Sequence, residues 1–177
     1  MRKSFLIITF SFLTSSLWAQ TINIKPAEVL KTIFQNSKTI TAEKKTLTQE
    51  QQASLKRSLA CDAIKPDWTF YVSKSDDKTD GYAVIDHELG KMEPITFLTA
   101  FNADGSIKAV EILVYREPYG SEVHEKRFMR QFEGKKKGAP LKVGQDIQNM
   151  SGATISSRSV TNGVKRDLAV WNIFYGK

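Results

Sequence analysis

Cysteine, histidine and the common cofactor fingerprints are scarce in this sequence. Its one cysteine, Cys61, stands alone in 177 residues, so an internal disulfide is excluded and stability must come from packing. There is no cysteine cluster for an iron–sulfur centre, no Cys-x-x-Cys-His haem site and no Gly-x-Gly-x-x-Gly dinucleotide fingerprint. The two histidines, His87 and His124, show no spacing that suggests a metal. We therefore predict no metal site and no direct oxidation of a nicotinamide nucleotide.

Long hydrophobic runs are also absent. The apolar stretch Phe5–Leu13 is shorter than the roughly 20 residues that a membrane helix needs, and no later segment approaches that length. Two basic residues precede it and Ala19 closes it, a layout typical of a secretory signal peptide over residues 1–19. Leu17 departs from the usual small residue at position minus three, so an uncleaved anchor stays open as the alternative. We expect an exported protein, periplasmic or otherwise extracytoplasmic, that is at most peripheral to the membrane.

Positive charge exceeds negative charge by a modest amount. The formal net charge is +7, and it falls to +5 once Arg2 and Lys3 leave with the predicted signal peptide. The densest basic run is Lys135, Lys136 and Lys137 between two glycines. A solvated loop is the ordinary interpretation of this run, and a patch that docks phosphate, anionic lipid or an acidic protein is the functional one. Nucleic acid is excluded as a partner because no aromatic residues interleave with the lysines.

Residues 20–177 are long enough for one domain with a core and too short for two domains of ordinary size. Between Pro26 and Ala60, apolar residues recur with helical spacing. Thr48, followed three residues later by Gln51, matches a capping box at the start of a second helix. We predict a single domain with an N-terminal helical extension over residues 20–66.

The period of the hydrophobic pattern changes after this extension. Apolar and polar residues alternate over 68–73, and a polar turn over 75–81 leads into a second alternating run, as expected for two β-strands. Two further strands, Ile95–Asn102 and Ile107–Tyr115, flank Asp104-Gly105, a pair suited to the positive φ angles of a tight turn. This part of the chain therefore predicts an antiparallel hairpin.

The second strand of that hairpin has an apolar face that other elements must cover. Simple alternation predicts that Val110, Ile112 and Val114 point to the same side of the sheet. One candidate to cover them is the segment 123–132, where Phe128 and Phe132 are one helical turn apart. The other is a C-terminal helix whose apolar stripe comprises Val160, Val164, Leu168 and Trp171. These elements predict an α+β fold, a twisted antiparallel sheet packed by helices.

The candidate functional residues lie just before the C-terminal helix, in Ser151-Gly152-Ala153-Thr154-Ile155-Ser156-Ser157. Gly152 and Ala153 leave room for a bulky group to approach Thr154, whose hydroxyl can be esterified. A helix N-terminus offers unpaired N–H groups and partial positive charge to a phosphate, and Arg158 can add a charged contact. We expect Ser156 or Ser157 to cap the helix. On spacing alone, the string also fits an ordinary loop and helix cap.

The string resembles the flavinylation motif of the FMN-binding domain family. That family includes the covalently flavinylated subunits of sodium-pumping NADH:quinone reductases and of related electron-transport complexes. Further similar stretches extend the resemblance over roughly Gly81 to the C-terminus: Leu89–Lys91, Glu93–Ile95, Tyr115–Glu117, Gly120–Val123 and Arg127-Phe128. The resemblance implies FMN joined by a phosphoester to Thr154, installed after export by a flavin transferase that uses FAD and a divalent metal. One position departs from the family pattern, since Gln148 replaces the usual aspartate six residues before the attachment residue and Asp146 lies two residues earlier.

The resemblance implies an electron-transfer flavoprotein in which no residue is assigned a catalytic role. Such a protein relays electrons between a membrane redox complex or exported carrier and a downstream acceptor, and a carrier is favoured over a substrate-converting enzyme. The alternatives are an FMN-dependent reductase of a small molecule and an unflavinylated binding module of the same fold. The cofactor-binding residues are expected to be the string Ser151–Ser157 and Arg158. Aromatic and charged residues of two other segments are candidates for contacts with the flavin ring, with a purely structural role as the alternative: Lys91, Glu93, Tyr115, Arg116, Glu117 and Tyr119.

Overall fold

A six-stranded antiparallel sheet forms the centre of the molecule. The computed structural model describes residues 22–61 and 64–176, so the predicted signal peptide lies outside the described residues. The strands are β1 (Ile22–Asn23), β2 (Thr39–Thr46), β3 (Asp67–Ser75), β4 (Lys78–Leu89), β5 (Pro94–Asn102) and β6 (Ile107–Tyr115), and their order is β1-β6-β5-β4-β3-β2. The α-helices are α1 (Pro26–Ile33), α2 (Gln49–Leu59), α3 (Lys126–Met129) and α4 (Thr154–Phe174). The predicted α+β fold, an antiparallel sheet packed by helices, is confirmed.

The predicted N-terminal helical extension is helical only in part. Its second helix begins with the expected capping box, in which Gln51 N donates to Thr48 Oγ1 over 3.2 Å and Thr48 N donates to Gln51 Oε1 over 2.9 Å. The helical prediction was wrong for Thr39–Thr46, which forms the edge strand β2 and pairs with β3 along its whole length. Its β-branched threonines and isoleucine favour an extended chain once a neighbouring strand supplies hydrogen bonds.

The predicted hairpin forms, and the two strands predicted before it pair with each other through a turn that is shorter than expected. Ser75 pairs with Lys78, so β3 and β4 are joined by Asp76 and Asp77 alone and not by the whole of 75–81. The hairpin of β5 and β6 is confirmed with its turn at Asp104-Gly105. Gly105 has a φ of +80°, and a Cβ on it would overlap the ring of Trp171 in α4.

The two faces of the sheet carry separate hydrophobic cores. Val110 and Ile112 lie in the larger core beneath α4, whereas Val114 packs with the smaller core around α1, contrary to the prediction that all three share a face. The cause is a β-bulge, because Thr96 pairs with Val114 and Phe97 pairs with Ile112, which leaves Leu113 without a partner. One extra residue reverses the alternation beyond it.

The larger core is covered by the two segments that the sequence indicated. The segment 121–132 forms α3 between two short 3-10 turns, and its Phe128 and Phe132 are buried with ring centroids 5.4 Å apart. The apolar stripe of α4 is also buried, as predicted: Val160, Val164, Leu168 and Trp171. No helix in the described ranges is both long enough and apolar enough to cross a membrane.

A buried ionic cluster fixes the middle of α4 to β4. Arg166 donates to Asp86 Oδ2 from Nε over 2.9 Å and from Nη2 over 2.6 Å, and it also contacts Glu88. Lys65 Nζ lies 2.8 Å from the other carboxylate oxygen of Asp86. Burial acts to raise the pKa of Asp86, but the charges of Arg166 and Lys65 outweigh it and lower that pKa. The charged pair therefore anchors the helix to the sheet.

Candidate functional site

Thr154 is the first residue of α4 and is half-buried. Its Oγ1 accepts a hydrogen bond of 2.8 Å from Asn149 Nδ2. The N-cap residue is Ala153, and no side chain caps the helix. The expectation that Ser156 or Ser157 caps α4 was wrong, because the helix begins three residues earlier than a cap at Ser156 requires. The first N–H groups of α4 are therefore left without a side-chain acceptor, directly beside the Thr154 hydroxyl.

A cavity of about 270 Å³ opens next to Thr154, between the segments 89–93, 116–120 and 149–156. Seven of the predicted cofactor residues line it: Lys91, Tyr119, Gly152, Ala153, Thr154, Ile155 and Ser156. Four others are exposed on the same segments or in the first turn of α4: Glu93, Arg116, Ser151 and Arg158. The remaining three are buried around it: Tyr115, Glu117 and Ser157. The fold thus brings the predicted residues to one end of α4.

The buried Tyr115 supports one wall of the cavity. Its hydroxyl donates to Tyr119 O over 2.6 Å and lies 3.2 Å from Ser156 Oγ. Burial raises the pKa of Tyr115, which keeps the hydroxyl available as a donor. Gly120 has a φ of +83°, and a Cβ there would stand 2.9 Å from Ser156 Oγ. The chain therefore passes close to α4 at a position that favours glycine.

The buried Glu117 supports the opposite wall. Its Oε1 accepts from Met92 N over 2.7 Å and from Glu93 N over 3.1 Å, so one carboxylate holds the loop that carries Lys91. Ser159 Oγ, in the second turn of α4, donates to Leu89 O over 2.7 Å at the start of the same loop. Tyr115 and Glu117 thus position the segments around Thr154.

Comparison with known proteins assigns a family to part of the chain. Residues 90–169 match the family model described as the FMN-binding domain. These residues belong to the FMN-binding domain family. The match begins one residue before Lys91 and ends within α4, so it contains the whole string Ser151–Ser157 and, apart from Leu89, all three segments of the site. The resemblance seen in the sequence is confirmed.

Individual relatives agree with this assignment. The chain is 34% identical over 120 residues to a component of the proton-translocating ferredoxin:NAD(+) oxidoreductase complex of Clostridium ljungdahlii, and the match covers 63% of this chain and 63% of that protein. The chain therefore spans less than two thirds of the length of that relative. The fold is similar to a component of the Na(+)-translocating NADH-quinone reductase from Parabacteroides distasonis, with a TM-score of 0.55, 18% identity, and coverage of 88% of this chain and 86% of that one. NqrC from Shewanella oneidensis gives a TM-score of 0.52 at 18% identity, with 84% of each chain covered.

The FMN-binding domain contains two site residues that the sequence did not indicate. Asn149 holds the Thr154 hydroxyl. Glu122 Oε1 lies 3.2 Å from the point where a Cβ on Gly152 would stand, and its buried Oε2 has no hydrogen-bond partner within the described ranges. Asn149 lies in a loop and Glu122 in the short 3-10 turn Ser121–His124. Glu122 falls within the similar stretch Gly120–Val123, but neither residue belongs to a periodic pattern, and no sequence signal assigns either of them a contact in the site.

The fit of FMN to this site can be judged from these groups. The uncapped N-terminus of α4 suits the phosphate, since its N–H groups and partial positive charge favour an anion. The unsatisfied Glu122 oxygen suits a donor such as a hydroxyl of the ribityl chain. Among residues 22–61 and 64–176, no group of three His, Cys, Asp or Glu side chains is arranged to hold a metal ion. The N–H donors at the start of α4 and the carboxylate acceptor of Glu122 therefore suit a phosphate ester of a polyhydroxy chain.

Gln148 takes part in the site through its backbone. Its N–H donates to Gln131 Oε1 over 2.6 Å, and its carbonyl accepts from Gln131 Nε2 over 3.2 Å, while its side chain is exposed. Asp146 accepts from Leu141 N over 3.2 Å and from Lys142 N over 2.8 Å, and so shapes the preceding turn. The loop before Thr154 is thus held in place by side chains other than that of Gln148.

Proposed function

We propose that this protein carries FMN through a phosphoester to Thr154, attached after export by a flavin transferase. The observation that carries the proposal is the Thr154 hydroxyl, which stands at the uncapped start of α4 beside the cavity. Asn149 orients the hydroxyl oxygen. When the ester forms, that oxygen would bond to the FMN phosphorus of FAD, the pyrophosphate bond of FAD would break, AMP would leave and the hydroxyl proton would be released. The N–H groups of α4 and the neighbouring Arg158 and Lys91 would hold the phosphate. Export itself rests on the signal-like residues 1–19 alone.

We further propose that the protein relays electrons between a membrane redox complex or exported carrier and a downstream acceptor. Bound FMN exchanges electrons singly or in pairs, which supplies the chemistry of a relay. The names of the relatives, which belong to ion-translocating oxidoreductase complexes, support this assignment. The cavity beside Thr154, of about 270 Å³, is open to solvent, and a cofactor with an exposed edge suits electron exchange with another protein better than reduction of an enclosed small molecule.

Attachment is tested by mass spectrometry of the denatured protein after co-production with a working flavin transferase. We expect wild type to gain the mass of one FMN less one water, and Thr154→Ala to gain nothing. Thr154→Ser should keep some attachment because it retains a hydroxyl. Thr41→Ala, the same change at an exposed threonine of β2, is the matched control that should be modified like wild type. An unmodified wild-type chain would reject the proposal and favour the alternative of an unflavinylated binding module.

A further inference from the structure

Exposed apolar side chains concentrate at one end of the molecule. The segments 89–93, 116–120 and 151–159 form a surface around the cavity that we call the Thr154 face. Within the described part of the chain, five large apolar side chains are exposed, and four of them lie on this face: Leu89 (63%), Met92 (69%), Tyr119 (75%) and Ile155 (48%). Exposed apolar groups scattered singly are ordinary, whereas a cluster of them beside a ligand site indicates an interaction surface.

The three segments of the Thr154 face are held to one another. The Glu117 carboxylate accepts from the backbone beside Met92, and the Ser159 hydroxyl donates to the backbone of Leu89. The Tyr115 hydroxyl donates to the carbonyl of Tyr119. These bonds fix the backbone that carries the exposed apolar residues. The face is therefore preorganised, which lowers the entropic cost of binding a partner.

Positive charge surrounds this apolar centre. Lys91, Arg116 and Arg158 are exposed, and none of them forms an ion pair with any residue that the structure describes. The exposed carboxylate on the same segments is Glu93, since Glu117 is buried and engaged by the backbone. The exposed charged groups of the face thus sum to 3 − 1 = +2. The single negative charge of an FMN phosphodiester would offset one of these charges, and the other would stay available to a partner.

The lysine run singled out in the sequence lies elsewhere and is already engaged. Lys135 pairs with Asp146 at 2.9 Å and Lys136 pairs with Asp104 at 3.3 Å. Lys136 and Lys137 line a cavity together with Trp171. Trp171 follows Thr154 by 17 residues along α4, roughly 26 Å at about 1.5 Å per residue. A partner docked on the lysines would be held far from Thr154.

We propose that the Thr154 face is the docking surface for a small acidic redox protein, whose carboxylates meet Lys91, Arg116 and Arg158 around an apolar centre. The inference rests on the proposed function, because it names the partner of the same site. An apolar core with a charged rim is the usual anatomy of a transient interface, and opposite charge speeds association. A second copy of this chain is disfavoured because two positive rims would repel. An anionic membrane is disfavoured because lipid-binding clusters carry about four to eight basic residues, and this rim has three.

The test is an equilibrium binding measurement with an oxidised [2Fe–2S] ferredoxin of net negative charge as the probe. The mature full-length chain is prepared with the flavin transferase and, separately, without it. The variant Lys91→Glu/Arg116→Glu/Arg158→Glu is compared with Lys135→Glu/Lys136→Glu/Lys137→Glu, which makes the same change of charge at the other end of α4. We expect the first variant to weaken binding at least tenfold in either preparation, and the second to change it less than twofold.

Three other results would overturn the docking proposal. Equal weakening by both variants would show an effect of net charge alone. Wild-type binding that does not weaken between about 20 mM and about 500 mM salt would exclude charge complementarity, and this measurement needs no variant. Sedimentation with vesicles that contain anionic phospholipid, lost in the first variant, would assign the face to a lipid surface. Charge-dependent binding by a chain that never acquires FMN would support the docking proposal and contradict the proposed function. The two proposals can therefore fail independently.

Discussion

At the scale of single residues, Asp167 is a carboxyl group kept in the core without a charged partner of its own. Its Oδ2 accepts from Thr99 Oγ1 over 2.6 Å, and within the described residues its Oδ1 has no hydrogen-bond partner. Burial, and then the nearby charge of Asp86, raise the pKa of Asp167 well above its usual value. A proton on this group therefore stabilises the folded state.

We predict that Asp167→Asn stabilises the protein at pH 8. The pKa of Asp167 is higher in the folded state than in the unfolded state. Protonation of Asp167 therefore stabilises the fold fully below the unfolded-state pKa, and this stabilisation is lost as the pH rises through the folded-state pKa. The asparagine amide resembles the protonated acid at every pH. Urea unfolding followed by tryptophan fluorescence should show a higher midpoint for the variant at pH 8 and a smaller loss of stability between about pH 4 and about pH 8.

The matched control for this prediction is Asp86→Asn. It removes the principal partner of the buried Arg166 and should destabilise the protein by about 3–5 kcal/mol. If Asp167→Asn proved less stable than wild type at pH 8, with an unchanged pH profile, the protonated core carboxyl would be ruled out.

The site is predictable at this scale only where its residues belong to a motif. The string that contains Thr154 was located from the sequence, because its residue types and its place before a helix are both visible there. Asn149 and Glu122 were not located, since each reaches the site across a loop whose path no periodicity describes. Tyr115 and Glu117 were noticed as neighbours of a strand end, but their supporting hydrogen bonds depend on tertiary contacts.

At the scale of elements, the turn between β5 and β6 must accommodate both an unusual backbone angle and a close neighbour. Gly105 supplies a φ of +80° and leaves space for the ring of Trp171. We predict that Gly105→Ala destabilises the protein by about 3 kcal/mol or more, because it adds overlap with the core to the cost of the left-handed backbone. Thermal and urea unfolding monitored by circular dichroism would measure the loss.

Gly134 offers a control that isolates the backbone cost. It has a φ of +75°, and no atom lies within 4 Å of a Cβ placed on it. Gly134→Ala should therefore cost only about 1–2 kcal/mol. Equal losses for the two variants would mean that Trp171 moves aside freely and does not fix the turn.

Helices and strands were predictable where a local sequence pattern determines them. Helix α4 has a complete apolar stripe, and the β5–β6 hairpin has its turn pair, so both were expected from the sequence. Strand β2 was missed because it is an edge strand with partly exposed side chains, and its pairing with β3 decides its conformation. The position of Val114 was missed because a bulge leaves no mark in an alternating sequence.

At the scale of the whole molecule, the segment that matches the family is smaller than the set of residues that pack together. Strand β2 extends the sheet beyond β3, while Leu47 and Leu55 are buried in the main core with Trp68 and Phe70. We predict that a chain beginning at Asp67 loses cooperative thermal unfolding, because it exposes that edge of the core to water. Near-ultraviolet circular dichroism and a melting curve would measure the change.

The control for this truncation is a chain that begins at Ile22, which lacks only the predicted signal peptide and two further residues and should melt like the mature protein. A sharp transition within a few degrees of this control would show that residues 22–66 are dispensable for folding. Ferredoxin binding by such a truncated chain would then locate the docking surface within residues 67–177.

The way α4 is held also limits how the proposed attachment residue can move. Helix α4 begins at Thr154. Arg166 in its middle forms an ion pair with β4, and Trp171 near its far end packs against the β5–β6 turn. A residue at the start of so firmly held a helix is not carried on a mobile segment. A cofactor joined there could change its position only by rotation about its own linker bonds. Carrying electrons between distant sites would therefore require the whole protein to move.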